Sequence, residues 1–243
     1  MQNQASFLVS EIILIINLTK FFSLLYLYYC EKWNNMITNK NCIIRLSRYK
    51  NALYRLQALG FVKVFSDNLA DAVGGTASQV RKDFSIFGIC GNKKGGYQID
   101  ALLEKINSIL GKDQLQKVIV VGAGHIGSAL MRYRGFEKEG IKIVAGFDID
   151  PAKTNRSALV PVLPLEEAKN FIKANGIRIA ILAVPDIAAQ PAADTICAFG
   201  IKGILNFAPL RLKGAEGCVI NNVNLEIELE NLIYFVNVNE KTK

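Results

Sequence analysis

The sequence predicts an α/β protein in two parts, a winged helix-turn-helix followed by a doubly wound parallel sheet with a dinucleotide site. Three observations carry this reading. The stretch Lys117 to Pro151 runs strand, G-x-G-x-x-G, helix, strand, acid. Ahead of it stands a run of short amphipathic helices broken by glycine pairs. The positive charge of the chain is concentrated in that run.

In the first of these, Val118-Ile119-Val120-Val121 is apolar and β-branched, as suits a strand covered on both faces. Gly122-Ala123-Gly124-His125-Ile126-Gly127 follows at once. The next helix is expected to pack through Ile126, Ala129, Leu130 and Tyr133. A second strand, Ile141 to Phe147, ends at Asp148, 26 positions after Gly122. Each glycine has its own reason: Gly122 for the tight turn, Gly124 for backbone approach to a pyrophosphate, Gly127 for helix–strand packing. The helix N-terminus offers unpaired N–H groups to the phosphates. Asp148 is expected on the adenosine ribose, favouring NAD(H) over NADP(H), whose 2′-phosphate would face a carboxylate. A lone glycine motif is weak evidence and fits a ligand-free α/β turn as well. Here strand, helix and acid all stand in their places, which favours a dinucleotide-binding domain of the Rossmann type.

The remaining chain keeps alternating. A short strand at Val160 to Val162 precedes a helix opened by Pro164 and ending at Asn175-Gly176. Ile177 to Val184 is the most apolar strand, followed by a helix from Ile187 to Phe199 and a strand from Gly203 to Asn206. Gly217 to Asn222 is a final strand and Leu225 to Val236 a final helix. Ligands of such sheets lie at the carboxyl ends of the strands. Val184, Pro185, Asp186, Asn206, Phe207 and Pro209 stand there, as expected walls of the nicotinamide end.

The first part begins with an amphipathic helix carrying Ile43, Leu46, Tyr49, Leu53 and Leu56, closed by Gly60. Ser66-Asp67 is expected to cap a second helix, broken by Gly74-Gly75. Thr76 caps a third, with Ala77, Val80, Phe84 and Phe87 inward and Ser78, Gln79, Arg81 and Lys82 outward. Helix, glycine turn, helix is the layout that places its last helix in a major groove, and the outward side chains bond base edges and phosphates. Cys90 to Tyr97 holds three glycines and Lys93-Lys94, the composition of a hairpin wing whose lysines lie on phosphates or enter a minor groove. Arg81 and Lys82 alone would read as a solvated helix face. With the cap, the turn and the wing they read as an interface to double-stranded DNA. Ile99 to Leu110 is another amphipathic helix, and Gly111-Lys112-Asp113 a linker.

Bulk properties agree. Of the formal net charge of +8, Met36 to Lys112 supplies nearly all, with twelve Lys/Arg against five acids. From Asp113 onward fifteen bases nearly balance fourteen acids. A localised basic excess is a footprint for polyanions. Five cysteines without C-x-x-C point to reduced thiols and a cytoplasmic protein. No His/Cys/carboxylate cluster has metal spacing, so no metal is expected. Residues 1–35 are a separate, very apolar extension in which Glu11 and Lys20 interrupt any run of roughly 18 uncharged residues. A basic region ahead of it and a small-residue cleavage site are both absent. It reads as sequence upstream of a start at Met36 rather than a membrane anchor or interfacial helix, and no membrane partner is expected. The expected domains are therefore 36–112, winged helix, and 113–243, dinucleotide binding.

Catalysis finds little support. The single histidine, His125, sits in the glycine loop, and no Ser/His/Asp, Cys/His or paired-carboxylate arrangement stands in the strand-end loops. A non-enzymatic DNA-binding protein gated by a dinucleotide is the first reading. An NAD-dependent oxidoreductase with an accessory basic domain is the second. A third keeps the fold and exchanges the ligand for another adenine nucleotide such as coenzyme A, which the phosphate loop accommodates equally.

From about Arg45 to Val236 the chain resembles the redox-sensing transcriptional repressors of the Rex family. RLSRYKNAL, TASQVRKDFSIFG, GGY, VGAGHIG, MRYRGF, FDIDP, ILAVP, GIKGILNFAP and NVNLEIELENLIYF stand in the family's order. The resemblance implies a homodimer whose C-terminal helices, here Leu225 to Val236, are domain-swapped. It implies repression of fermentative and respiratory genes from an inverted-repeat operator, with NADH releasing the operator and NAD⁺ compatible with binding it. By motif position Arg81 and Lys82 contact DNA, Lys93 and Lys94 lie in the wing, and Gly122, Gly124, Gly127 and Asp148 bind the dinucleotide, with Asp150 a matching neighbour. Tyr133 belongs to the sensing network and Leu225 approaches the partner's nicotinamide. Two departures stand out. Asn51 and Asn224 occupy positions where relatives often carry an Arg–Asp ion pair, which implies a weakened NADH response.

Overall fold

The structure, a computed structural model, describes residues 40–92, 95–214 and 216–241. The chain divides into two compact units, with the boundary between Gly111 and Lys112. The apolar extension, Met36, Lys93 and Lys94 all lie outside the described residues.

The first unit contains α1 (Lys40–Ala58), β1 (Lys63–Val64), α2 (Ser66–Val73), α3 (Ala77–Ile86), β2 (Tyr97–Gln98) and α4 (Ile99–Ile109). Its core gathers the stripe of each helix: Leu46, Tyr49 and Leu53 from α1, Leu69 from α2, Val80 and Phe84 from α3, Ile99 and Ile106 from α4. Phe84 is fully buried between Tyr49 and Tyr97, edge-to-face with both at 5.5 and 5.1 Å. Burying a phenylalanine this completely contributes about 2–3 kcal/mol, and each aromatic pair adds about 1 kcal/mol. Thr76 caps α3 as expected, its hydroxyl accepting from the Gln79 N–H at 3.2 Å. Ser66 does not cap α2. It is the buried first residue of that helix, and Phe65 takes the cap position, its N–H donating to Asn68 Oδ1. The serine goes inward because the adjoining strand pair sets where the chain enters. β1 and β2 pair antiparallel, and Asn92 and Gly96 bridge across the base of the hairpin tip.

The second unit is one six-stranded parallel sheet in the order β5-β4-β3-β6-β7-β8. Its strands are β3 (Gln116–Val121), β4 (Ile141–Asp148), β5 (Val162–Pro164), β6 (Ile179–Leu182), β7 (Gly203–Asn206) and β8 (Val219–Asn222). The helices are α5 (His125–Arg132), α6 (Gly135–Lys138), α7 (Ala168–Asn175), α8 (Asp186–Ala198) and α9 (Leu225–Lys241). The order reverses between β3 and β6, so the crevice where such sheets bind ligands opens at the end of β3. The two sheet faces carry two apolar clusters, one around Ile119, Phe147 and Leu182 and one around Val118, Val120 and Ile181. β6 is shorter than its apolar run, since Val184 and Pro185 already form the loop into α8.

The packing face of α5 differs from the expected one. Ile126, Ala129 and Tyr133 are exposed, while Gly127 is buried and Leu130 and Met131 pack on the sheet. The close approach at Gly127 sets the rotation of the helix, and residues three and four positions on then face the strands. The helix α9 carries exposed Leu225, Leu229, Leu232, Ile233, Tyr234 and Phe235, apolar side chains distributed around its circumference.

Candidate functional site

The loop after β3 is built around two backbone collisions that only glycine avoids. Gly122 has φ +95°, and a Cβ there would lie 2.3 Å from the Ala183 carbonyl oxygen on the loop after β6. A Cβ on Gly127 would lie 1.9 Å from the Gly122 carbonyl oxygen, so α5 presses directly on the turn. Gly124 is different. Its φ is −69°, and a Cβ would meet no protein atom within 4 Å. That open face, at the N-terminus of α5, is where a pyrophosphate would come against backbone N–H groups. His125 and Ile126 open the helix and are exposed beside it. Ala123 is buried, and its N–H donates to Asp148 Oδ2 at 2.7 Å.

Asp148 therefore does internal work that its position in the motif does not reveal. Besides Ala123, its other oxygen accepts the Asp150 N–H at 2.9 Å, which curls the chain after β4 back under the glycine loop. Asp150 is more exposed, bonds the Ala152 N–H through Oδ1, and shares the Lys153 ammonium with Asp148 at 3.7 Å from each. Two carboxylates and one lysine thus line the edge of the loop where a ribose would lie. A further glycine, Gly146 on β4, was not singled out in sequence; a Cβ there would come 2.6 Å from Met131 Sδ, so it sets how closely α5 lies on the sheet.

At the strand ends, Val184 adjoins Gly122, and Pro185 forms the exposed N-cap of α8. Phe207 packs on the cluster around Val118 and Val120. Asn206, expected as a wall of the nicotinamide end, is instead fully buried and its amide is committed. Nδ2 donates to the Leu210 carbonyl (2.8 Å) and to Asn222 Oδ1 (2.9 Å), and Oδ1 accepts the Ala208 N–H (3.0 Å). It is the clamp that folds the loop after β7 over β8. Leu225, the first residue of α9, is 59% exposed. Tyr133 is 61% exposed, stacks edge-to-face on Phe136 at 5.0 Å, and lines a cavity of about 910 Å³ with Met131, Ile143 and Val162. Asn224 caps α9, its Oδ1 accepting the N–H groups of Glu226 (2.9 Å) and Ile227 (3.2 Å).

In the first unit the outward face of α3 presents Ser78, Arg81, Lys82 and Ser85, all exposed. Gln79 leaves that face. Its Nε2 donates to Asp83 Oδ1 at 2.7 Å. Asp83 is fully buried and collects four more hydrogen bonds: two from Arg45 (2.6 and 2.7 Å), one from Tyr49 Oη (2.9 Å) and one from Cys42 Sγ (3.3 Å). Burial works to raise the Asp83 carboxyl, but the hydrogen bonds from Arg45, Tyr49, Gln79 and Cys42 outweigh it and hold it below the ordinary carboxylate range. The same cluster pushes the buried Cys42 thiol up to about 11, through burial first and the Asp83 contact second. This network ties α3 to α1 and was invisible in sequence, because its members stand 38 and 34 positions apart from Asp83 with no recognisable spacing. Asn51 is exposed on α1.

Among the described residues no group of three His, Cys, Asp or Glu could hold a metal ion, and no helix is long and apolar enough to cross a membrane.

Residues 40–85 match a family described as putative DNA-binding protein N-terminus, and residues 113–210 match the CoA binding domain family. The redox-sensing transcriptional repressor Rex of Oenococcus oeni is 38% identical over 205 residues, 82% of this chain and 93% of that protein. The Rex of Lactobacillus gasseri is 42% identical over 193 residues, 79% of this chain and 90% of that protein. Among solved structures, RSP in complex with β-NAD⁺ and operator DNA superposes with a TM-score of 0.78 at 35% identity, covering 83% of this chain and 94% of that one. RSP in complex with β-NADH gives 0.75 at the same identity, covering 85% and 97%. With this identity sustained across both units, the chain belongs to the Rex family of redox-sensing transcriptional repressors.

Proposed function

We propose that this chain represses transcription by binding operator DNA through the first unit and releases it when NADH replaces NAD⁺ in the second. The observation that carries this is the pairing of an open backbone cradle at Gly124 with an exposed basic helix face at Arg81 and Lys82 in one chain. The first fits a dinucleotide pyrophosphate and the second a DNA groove. The RSP complexes, one with β-NAD⁺ and operator DNA and one with β-NADH, support operator DNA and both forms of the dinucleotide as ligands. Domains of 36–112 for DNA and 113–243 for the dinucleotide, with Lys93 and Lys94 as wing contacts, follow from the same reading. Asp150, freer than Asp148, takes the ribose hydroxyls, with Asp148 holding the loop that presents it.

The protein acts as a homodimer. Its support is α9, a helix whose apolar side chains are exposed around much of its circumference, the pattern of a helix built for burial in a second chain. A two-fold dimer demands an inverted repeat in the operator, one half-site per protomer. The protein is a cytoplasmic regulator and not an enzyme, a reading supported by its Rex relatives, which are named transcriptional repressors.

Coenzyme A is the second reading, favoured by the family match over residues 113–210. Calorimetric titration of the protein with NADH, NAD⁺, NADPH and coenzyme A tests both. NADH binding tighter than NADPH, with coenzyme A silent, supports the proposal. Tight coenzyme A binding without NADH binding refutes it.

A further inference from the structure

Two cysteines of the second unit take no part in the sites above. Cys197 lies in the last turn of α8, and Cys218 immediately precedes β8. The backbone brings these positions together. The Ile201 N–H turns back onto the Ile196 carbonyl at the end of α8, and the neighbouring Lys202 carbonyl accepts the Val219 N–H at 2.9 Å. The residue before Val219 therefore stands beside the turn that leaves α8. Both thiols are free, half-buried, and packed against the same apolar cluster. Cys218 lies near enough to Cys197 to act on its thiol. Packing alone does not call for sulfur at two neighbouring positions on an apolar cluster, where a small aliphatic side chain serves as well.

We propose that Cys197 and Cys218 form a reversible intramolecular disulfide when the protein meets a peroxide, a redox input separate from the dinucleotide loop. The bond requires the two sulfurs to close to about 2 Å. A helix end and the residue ahead of an edge strand are places where the backbone can yield that much. Burial, with the neighbouring Cys218 second, pushes the Cys197 thiol up to about 12, so Cys197 keeps its proton. That leaves Cys218 as the attacking sulfur. Its thiolate displaces hydroxide from the peroxide: an S–O bond forms, the O–O bond breaks, and the hydroxide takes a proton to become water. The Cys197 sulfur then attacks the sulfenic sulfur. The S–S bond forms, the S–O bond breaks, and the departing oxygen leaves as water with the Cys197 proton. In sum two thiols and one peroxide give one disulfide and two waters, a two-electron oxidation that a dithiol reductant reverses. The bond would tie the end of α8 to the strand that leads through Asn222 and Asn224 into α9.

The test treats the full-length reduced protein with a few equivalents of hydrogen peroxide, blocks remaining thiols under denaturing conditions, and maps the peptides by mass spectrometry. The expected product is a Cys197–Cys218 linked peptide, about 2 Da lighter than the two reduced peptides together and absent after dithiothreitol. Cys218→Ser should abolish it. Cys197→Ser should leave a sulfenic acid on Cys218 that dimedone captures. Cys90→Ser, at an exposed position in the other unit, should leave the yield unchanged. Oxidation confined to Cys90, or peroxide treatment that leaves Cys197 and Cys218 unlinked in wild type, overturns the proposal. Should a serine variant fail to fold, the wild-type peptide map still decides.

Discussion

Arg45 closes a two-point fork on Asp83, Nε to Oδ2 at 2.6 Å and Nη2 to Oδ1 at 2.7 Å, and so fixes helix α3 against α1. The geometry matches the planar guanidinium to a carboxylate that has no solvent exposure, a charge-assisted arrangement of the strong kind. The aspartate is one helical turn from Gln79 and two positions from Arg81, so the network and the outward face share the same ten-residue helix.

Asp83→Asn should destabilise the first unit by about 2–3 kcal/mol, because Arg45 keeps its charge and loses its partner. Acid should reproduce part of this. The folded carboxyl lies below its unfolded value, so its contribution is complete above about pH 4 and is lost as pH falls through the lower, folded value. Urea melts of wild type and Asp83→Asn at pH 7 and near pH 3 check it. The gap between the two proteins should narrow in acid; a gap that stays constant shows that the carboxylate charge does not carry the effect.

Gly127 and Gly124 should separate folding from binding. Gly127→Ala drives a Cβ into the Gly122 carbonyl and should destabilise the second unit by about 3 kcal/mol, taking dinucleotide binding with it. Gly124→Val meets no protein atom at Cβ and should melt like wild type, yet lose at least about tenfold in NADH affinity, roughly 1.4 kcal/mol. Thermal melts beside NADH titrations decide. Unchanged NADH affinity in Gly124→Val would place the pyrophosphate elsewhere.

Arg81 and Gln79 differ in the same way within α3. Arg81→Ala should weaken operator binding by about 1–3 kcal/mol and relax specificity at one base pair, with little change in stability. Gln79→Ala should lower stability, since it strips a hydrogen bond from the buried Asp83. If about six phosphates are neutralised, log K should fall with log[salt] at a slope of about −5. A slope near zero, or equal affinity for random duplex, rejects the interface.

The last prediction concerns Asn51 and Asn224, where the resemblance to the Rex family implies an arginine and an aspartate. Asn224 already caps α9, and an aspartate keeps that cap while adding a charge favourable at a helix N-terminus. In the Rex-like dimer proposed above, an Arg–Asp pair at these positions would be one of the contacts that differs between DNA-bound and released states, and a ligand shifts such an equilibrium only through its differential affinity for them. The Asn51→Arg, Asn224→Asp double variant should therefore strengthen the NADH response by about 1 kcal/mol within a typical coupling of about 1–3 kcal/mol. Operator binding with and without NADH for wild type, both singles and the double gives the coupling; its absence shows that these positions do not set the response.

What the sequence determined by itself was whatever depends on neighbours along the chain. The period of Val118 to Val121, the spacing from Gly122 to Asp148, the cap at Thr76 and the break at Gly74-Gly75 are local, and local sterics and hydrogen bonding carry them directly into strand, loop and helix. Tertiary structure decided what each polar group is spent on. Asp148 stands where the motif puts it, but only the fold turns the Ala123 and Asp150 N–H groups onto its oxygens. Asn206 stands at a strand end, but only the pairing of β7 with β8 brings Asn222 to its amide and buries both functions of the side chain. Gln79 has the period of an outward residue, and the buried charge of Asp83 draws it in. The physical reason is the same in each case. A buried polar group must find a partner, the partner comes from a distant element, and no spacing along the chain records which element the fold will bring.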